Sequence, residues 1–263
     1  MDNTLFEEDS PMKTISFSSI KGGTGKSSLC ILTANYAASA GYRVLVADLD
    51  LQNSLSSYYL DSPDPVEQHN IAAALHSERL AKNIIPTTYP GVDLLASSLD
   101  LVKLRAIGEH TLRRILATSP LPYDFLFIDT APTFDNLVLN AYHAADLILS
   151  PVSFSQFDLK SARFLHSMIY RETDKIHAWH LLFNFYKPSR SDNPDTLRNQ
   201  YEALFRDTFG DTILPITIPE SSLIRRSIDT GEKITTSAAK APLFEAITAL
   251  ADYCGIHHRA ERF

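Results

Sequence analysis

FSSIKGGTGKSSL, residues 17–29, sets three glycines and two lysines between a β-like run and a helical one. Gly22, Gly23 and Gly25 let the backbone turn tightly and point its N–H groups at an anion. The helix that follows offers its positive N-terminal end to the same charge. Lys26 is placed to reach the β- and γ-phosphates of a nucleotide, and the Ser27 hydroxyl to ligate Mg²⁺. The general phosphate-loop pattern, G-x-x-x-x-G-K-[ST], asks for glycine at position 20, where this chain has Ile20. A narrower pattern, K-G-G-x-G-K-[ST], fits completely and adds a second lysine, Lys21. The predicted nucleotide-binding run is therefore Lys21, Gly22, Gly23, Thr24, Gly25, Lys26, Ser27 and Ser28.

Outward from this loop the chain alternates strand-like and helix-like segments. Strands are predicted at 13–19, 43–49, 92–96, 123–129, 145–150, 179–185 and 212–217, several of them continuous apolar runs suited to burial on both faces of a parallel sheet. Helices are predicted at 26–40 and at 194–209. The second has Asn193 as N-cap, Pro194 at N1, and Leu197, Tyr201, Leu204 and Phe205 on one face. This alternation predicts an α/β fold, a doubly wound, mostly parallel sheet with helices on both faces. A single domain is expected over 12–263, behind an acidic, disordered leader at 1–11. Met12, directly before the first strand, is a second candidate start.

A net charge of −7 excludes a globally basic nucleic-acid binder, so any DNA binding must be regional. Cys30 and Cys254 are the only cysteines, too few for a disulfide framework or a cysteine metal knuckle, which points to a reducing cytoplasm. No apolar run approaches the ~20 residues of a membrane helix. The nine histidines are scattered apart from His257-His258, which reads as a solvated tail.

Two segments supply candidate carboxylates. RVLVADLDLQNS ends a strand with Asp48 and Asp50, which alternation places on the same side. YDFLFIDTAP is an apolar run ending in Asp129, the Walker B form, whose aspartate holds Mg²⁺ through water. Asp124 reads as a surface residue at the start of that strand.

The motif K-G-G-T-G-K-S resembles the deviant Walker A motif of the ParA/MinD group of P-loop ATPases. The likeness runs from about Lys13 to Gly255. It includes DLLASSLDL (93–101) and LVLNAYHAADLILSPV (137–152). The resemblance implies that Lys21 reaches across a dimer interface to ATP bound by the other subunit, making ATP the glue of a homodimer. It implies that Asp50 positions the attacking water, with Asp48 on the metal side. Lys21, Lys26 and Asp50 are thus the catalytic candidates, and Ser27, Asp48 and Asp129 the metal candidates, with ATP and Mg²⁺ as cofactors. Asn184 resembles the asparagine that reads adenine, and Pro219 the loop proline that packs on the base. Departures are Leu51 for proline and Asn53 for glycine after Asp50, Ala131 for the first proline after the Walker B strand, and Glu220 for arginine after Pro219.

By length and layout the chain is similar to the short Soj-like ParA proteins. No helix-turn-helix segment precedes the loop, so operator binding is not expected. What the resemblance implies is a slow ATPase stimulated by a ParB-like, centromere-binding activator, a cytoplasmic and nucleoid-associated location, and non-specific DNA binding by the ATP dimer. The DNA-binding candidates are Arg225, Arg226, Lys187, Arg190 and Lys233, with Arg198 and Arg206 nearby. Asp192, Asp195, Asp207 and Glu232 are interleaved with them, which also fits a mixed solvated surface. The alternative is the same engine positioning a protein or membrane-associated cargo. Against a MinD-like anchor, the last helix sets Leu243, Phe244, Ile247, Leu250 and Cys254 opposite Glu245 and Asp252, where membrane docking wants lysine and arginine. A core helix, with no stable membrane anchor, is the expectation.

Overall fold

Side-chain alternation along the strands sorts the apolar residues onto two faces, and each face is covered by helices. In β2 (Val44–Leu49) Val44 and Val46 join one core, while Leu45, Ala47 and Leu49 join another. In β5 (Phe125–Thr130) Phe125 and Phe127 lie on the first side, Leu126 and Ile128 on the second. The computed structural model describes residues 11–187, 196–230 and 241–258. The leader up to residue 10, Asn193, Pro194, Arg190 and Lys233 lie outside them.

Eight strands form one sheet in the order β3-β4-β2-β5-β1-β6-β7-β8. The others are β1 (Lys13–Phe17), β3 (Ile85–Pro86), β4 (Val92–Leu95), β6 (Leu147–Val152), β7 (Trp179–Tyr186) and β8 (Ile213–Pro219). All neighbouring pairs are parallel except β3 with β4. All seven predicted strands are present with ends shifted by a few residues. β3 escaped prediction because two residues carry no period.

Helices α1 (Lys26–Ser39), α2 (Ser54–Tyr59), α8 (Ser222–Thr230) and α9 (Ala241–Tyr253) share the first face. The second holds α3 (Ile71–Ser77), α4 (Thr111–Thr118), α5 (Asn136–Ala144), α6 (Gln156–Glu172) and α7 (Leu197–Phe209). Among the described residues helix α7 runs from Leu197, where the Thr196 hydroxyl takes the Asn199 N–H and caps it; the predicted start at 194 lies outside them. Its predicted face is also rotated: Phe205 and Phe209 are buried, while Leu197 and Leu204 are exposed. Leu243, Ile247 and Leu250 of α9 are buried against the sheet-and-α1 core, as expected for a core helix. Among the described residues no helix is long and apolar enough to cross a membrane.

Strand β1 lies between β5 and β6, with β2 beyond β5 on one side and β7 beyond β6 on the other. The connection from β1 to β2 runs one way and that from β6 to β7 the other. The carboxyl end of β1 is therefore the topological switch point, where open α/β sheets bind ligands.

Candidate nucleotide site at the end of β1

The glycine loop springs from that switch point. Thr130 Oγ donates to the Phe17 carbonyl at 3.0 Å and lies 2.9 Å from Ser18 Oγ, and Ser18 Oγ meets the Tyr142 hydroxyl at 2.6 Å. These bonds tie the start of the loop to β5 and α5. Gly23 and Gly25 have φ of 75° and 96°, in the left-handed region that side chains disfavour. At Gly25 a Cβ would also run into the Asn184 amide. Glycine there is required twice over, by φ and by space.

Beyond the loop lies a cleft of about 660 Å³. Gly22, Gly23, Gly25, Lys26, Ser27 and Ser28 line one wall, with Asp50, Gln52 and Pro132 beside them. Lys26 is 6% exposed. Burial pulls its ammonium below the ordinary range, against the opposing pull of Asp129 and Asp50. The cluster is thus a buried cation facing carboxylates at the N-terminus of α1.

Asp48 and Asp129 sit opposite one another in the β2–β5 register, both fully buried and both on the α1 face. Their bonding differs. Asp48 accepts from the Ser56 N–H and hydroxyl, each at 2.8 Å, and from the Asp50 N–H at 3.1 Å. Burial still lifts its pKa to about 6, with these hydrogen bonds opposing. Neither Asp129 oxygen has a hydrogen-bond partner; the Ser27 hydroxyl faces it outside good hydrogen-bonding geometry. Burial, then the charge of Asp48, pushes the Asp129 carboxyl well above the carboxylate range. A buried unpartnered carboxylate beside Ser27 is what a hydrated cation would satisfy, so the donor set fits Mg²⁺.

Asp50 lies just past the end of β2. Its carboxylate takes the Gln52 N–H at 3.0 Å, and its carbonyl takes the Asn53 N–H at 3.0 Å and the Ser97 hydroxyl at 2.8 Å. Asn53, which departs from the family's glycine, has φ 57°. Asparagine is among the few residues that enter this region at low cost, so the turn survives the change.

Lys21 does not line the cleft. Its ammonium turns to α6 and pairs with Asp158 at 2.7 Å. Asp158 is itself held by the Ser153 hydroxyl at 2.9 Å and by a short bond from Ser155. Burial opposes its ionisation, but the bonds from Lys21 and the two serines prevail and hold its pKa below the ordinary value. The two lysines of one loop therefore point to different places.

Near the end of β7, Phe185 lines the cleft and Asn184 lies against the glycine loop. The Asn184 amide donates to the Thr24 carbonyl at 2.8 Å, and its oxygen accepts from the Phe185 N–H at 2.9 Å. The predicted adenine reader thus braces the glycine loop. Phe185 lines the cleft with φ 57°, a conformation that costs an aromatic residue about 1–3 kcal/mol. Pro219 ends β8, and the residues just after it, Glu220 to Ser222, reach the cleft. The DNA candidates are dispersed: Arg225 lines the cleft, Lys187 pairs with Glu220 at 2.5 Å, Arg206 pairs with Glu202 at 2.8 Å, and Arg198 lies 4.0 Å over the Tyr186 ring. Phe185, Asp158 and Ser56 were not foreseen from sequence, since neither spacing nor composition marks them.

A tight glycine turn from a central parallel strand into a buried helix end, with a buried lysine and strand-end carboxylates around it, makes this a P-loop nucleoside-triphosphatase fold. Residues 12–178 match the family described as an AAA domain, ParA/MinD-like in kind. The virulence plasmid ParA family protein of Chlamydia trachomatis is 32% identical over 194 residues, covering 69% of this chain and 72% of that one. The chromosome-partitioning ATPase Soj of Thermus thermophilus is 27% identical, over 92% and 94% of the two chains. The maintenance of carboxysome distribution protein A of Synechococcus elongatus is 27% identical, over 84% and 90%. Among solved structures, a plasmid partition protein of Borrelia burgdorferi bound to AMPPNP superposes with a TM-score of 0.72 at 24% identity, over 91% and 98%. The chain belongs to the ParA/MinD-like family of P-loop ATPases.

Proposed function

We infer that this protein is a partition ATPase working as an ATP-gated homodimer. The observation that carries the reading is the divergence of the two loop lysines. Lys26 is buried in the cleft against Asp129 and Asp50, while Lys21, 35% exposed at its side chain, faces away. A lysine aimed out of its own cleft is available to a second subunit's phosphates once it leaves Asp158. Triphosphate charge enclosed between two subunits needs cations from both sides.

In this reading Gly22 to Ser28 cradle the phosphates with backbone N–H groups, and Lys26 pairs with the β- and γ-oxygens. Ser27, and Asp129 through water, hold Mg²⁺, which neutralises phosphate charge when bound. Asp50 orients the attacking water. Asp48 holds the Asp50 turn through its bonds to Asp50 and Ser56, a positioning role close to the metal side. Phe185 offers a ring for the base, and Asn184 keeps Thr24 and Phe185 in place.

DNA is the proposed surface for the dimer, bound without sequence preference through Arg225, Arg226, Lys187, Arg190 and Lys233, with a ParB-like partner stimulating hydrolysis. Binding to random-sequence duplex DNA, measured with ATP, ADP and no nucleotide across a salt series, tests this. The expected result is binding with ATP alone that weakens steeply with salt, because each phosphate contact releases counterions. Absence of DNA binding by a demonstrated ATP dimer overturns it. That result favours the second reading, a protein cargo, which the carboxysome-distribution relative supports.

A further inference from the structure

On the face of the sheet away from α1, two histidines 33 positions apart in sequence meet. His143, in the last turn of α5, and His110, just before α4, have ring centroids 4.0 Å apart at 54°. Glu109 joins them, its carboxylate 3.6 Å from His110 Nε2. One ligand atom from each of the three lies within 4.8 Å of the other two, and this is the one such group of metal-ligating side chains found among the described residues. We propose that Glu109, His110 and His143 form a site for a divalent first-row transition ion, of the zinc or cobalt kind, separate from the Mg²⁺ of the nucleotide cleft.

Three observations carry this. First, His143 is 4% exposed and neither ring nitrogen has a hydrogen-bond partner. A buried polar atom left unpaired is destabilising, and a cation on one nitrogen removes part of that cost. Burial, with His110 adding to it, holds the His143 imidazole below its ordinary pKa, so it stays neutral with a lone pair to give.

Second, the loop bearing Glu109 and His110 is strapped in position over His143. Asn136 Nδ2 donates to the Ile107 carbonyl at 2.8 Å. Asn140, fully buried one turn further on, donates to the Gly108 carbonyl at 2.9 Å and accepts from the Leu112 N–H at 2.8 Å. Positions 136, 140 and 143 share one face of α5. Two asparagines therefore bind the backbone on either side of Glu109 and His110, and His143 follows them on that face. Such support is what keeps metal ligands in register.

Third, the donor set selects the ion. Two imidazoles and one carboxylate suit zinc, cobalt or nickel, whereas Mg²⁺ prefers oxygen donors and octahedral geometry. Three protein ligands leave a position for water or a further donor.

The test uses the full-length chain without a histidine tag, stripped with chelator and free of nucleotide. Titration with Co²⁺, followed by visible absorption, is expected to saturate at one equivalent and to be reversed by Zn²⁺. His110→Ala, Glu109→Gln and His143→Ala are each expected to lower Co²⁺ affinity at least about tenfold. Zn²⁺ should raise the melting temperature of the parent chain and leave that of His110→Ala unmoved. His110 is exposed, so its variant keeps the fold, verifiable by circular dichroism, even where loss of the buried His143 does not. Absence of stoichiometric Co²⁺ binding overturns the proposal. So does binding that His110→Ala and Glu109→Gln leave unchanged, which would place the ion elsewhere, as at His257-His258.

Discussion

Asp48 and Asp129 end neighbouring strands, face each other in register and are equally buried, yet one is saturated with hydrogen bonds and the other has none. Asp48 spends its oxygens on Ser56 and Asp50, shaping the turn after β2. Asp129 leaves both oxygens open beside Lys26 and Ser27. A polar group with partners holds structure; one without them marks the place where the fold awaits a ligand. Two carboxylates with the same burial thus point to different tasks.

The comparison breaks most completely when the cation beside Asp129 is removed. Lys26→Ala leaves Asp129 and Asp50 uncompensated and removes the proposed buried partner of the phosphates. ATP affinity should fall by about 2–5 kcal/mol, measured by calorimetry. An affinity within a factor of three of the parent would take Lys26 out of the phosphate site.

Titration sharpens the contrast at Asp48. Its pKa rises on folding from the ordinary carboxylate value to about 6. The unfolded chain therefore ionises first as pH climbs, and stability linked to this group is present at low pH and lost toward pH 6. Relative to Asp48→Asn, the parent should lose about 3 kcal/mol of stability between roughly pH 4 and 6. Parallel stability curves for the two chains would show that Asp48 carries no such cost.

At Asp129 the expected changes run in opposite directions. Asp129→Asn removes a buried acid whose ionisation the fold opposes, so the nucleotide-free protein should melt higher. Mg²⁺ affinity measured with bound ATP should fall about 10- to 100-fold. A nucleotide-free variant that melts lower, with Mg²⁺ binding intact, would make Asp129 an ordinary structural carboxylate.

The smallest effect concerns the other lysine. The Lys21–Asp158 pair is partly exposed, so breaking it is worth about 0.2–1 kcal/mol. If that pair holds Lys21 back, Asp158→Ala should tighten the ATP-dependent dimer by up to about fivefold in sedimentation equilibrium. A weaker dimer would assign Asp158 to the interface itself.

Much of the candidate nucleotide site is legible in the sequence because its residues are local. Gly22 to Ser28 are contiguous, and Asp48 and Asp129 close apolar runs that can only be buried strands. Lys21's partner was hidden, since Asp158 lies 137 positions away on a helix whose sequence shows no motif. Asn184 is marked in the sequence only by resemblance, as an adenine reader; its bond to Thr24 depends on how β7 meets the loop. The histidines looked scattered because the contact between His110 and His143 is made by two asparagines fastening a loop to α5, and no spacing rule encodes that. β3 failed for a plainer reason: it is two residues long and includes Pro86.

The most direct test of the ATP-gated dimer is sedimentation of the parent chain and Lys21→Ala with ATP and Mg²⁺, alongside calorimetric ATP binding. The predicted result is a dimer for the parent and a monomer for Lys21→Ala, with ATP affinity in the monomer largely retained. A Lys21→Ala chain that dimerises on ATP as the parent does would contradict the reach of Lys21 into a second subunit.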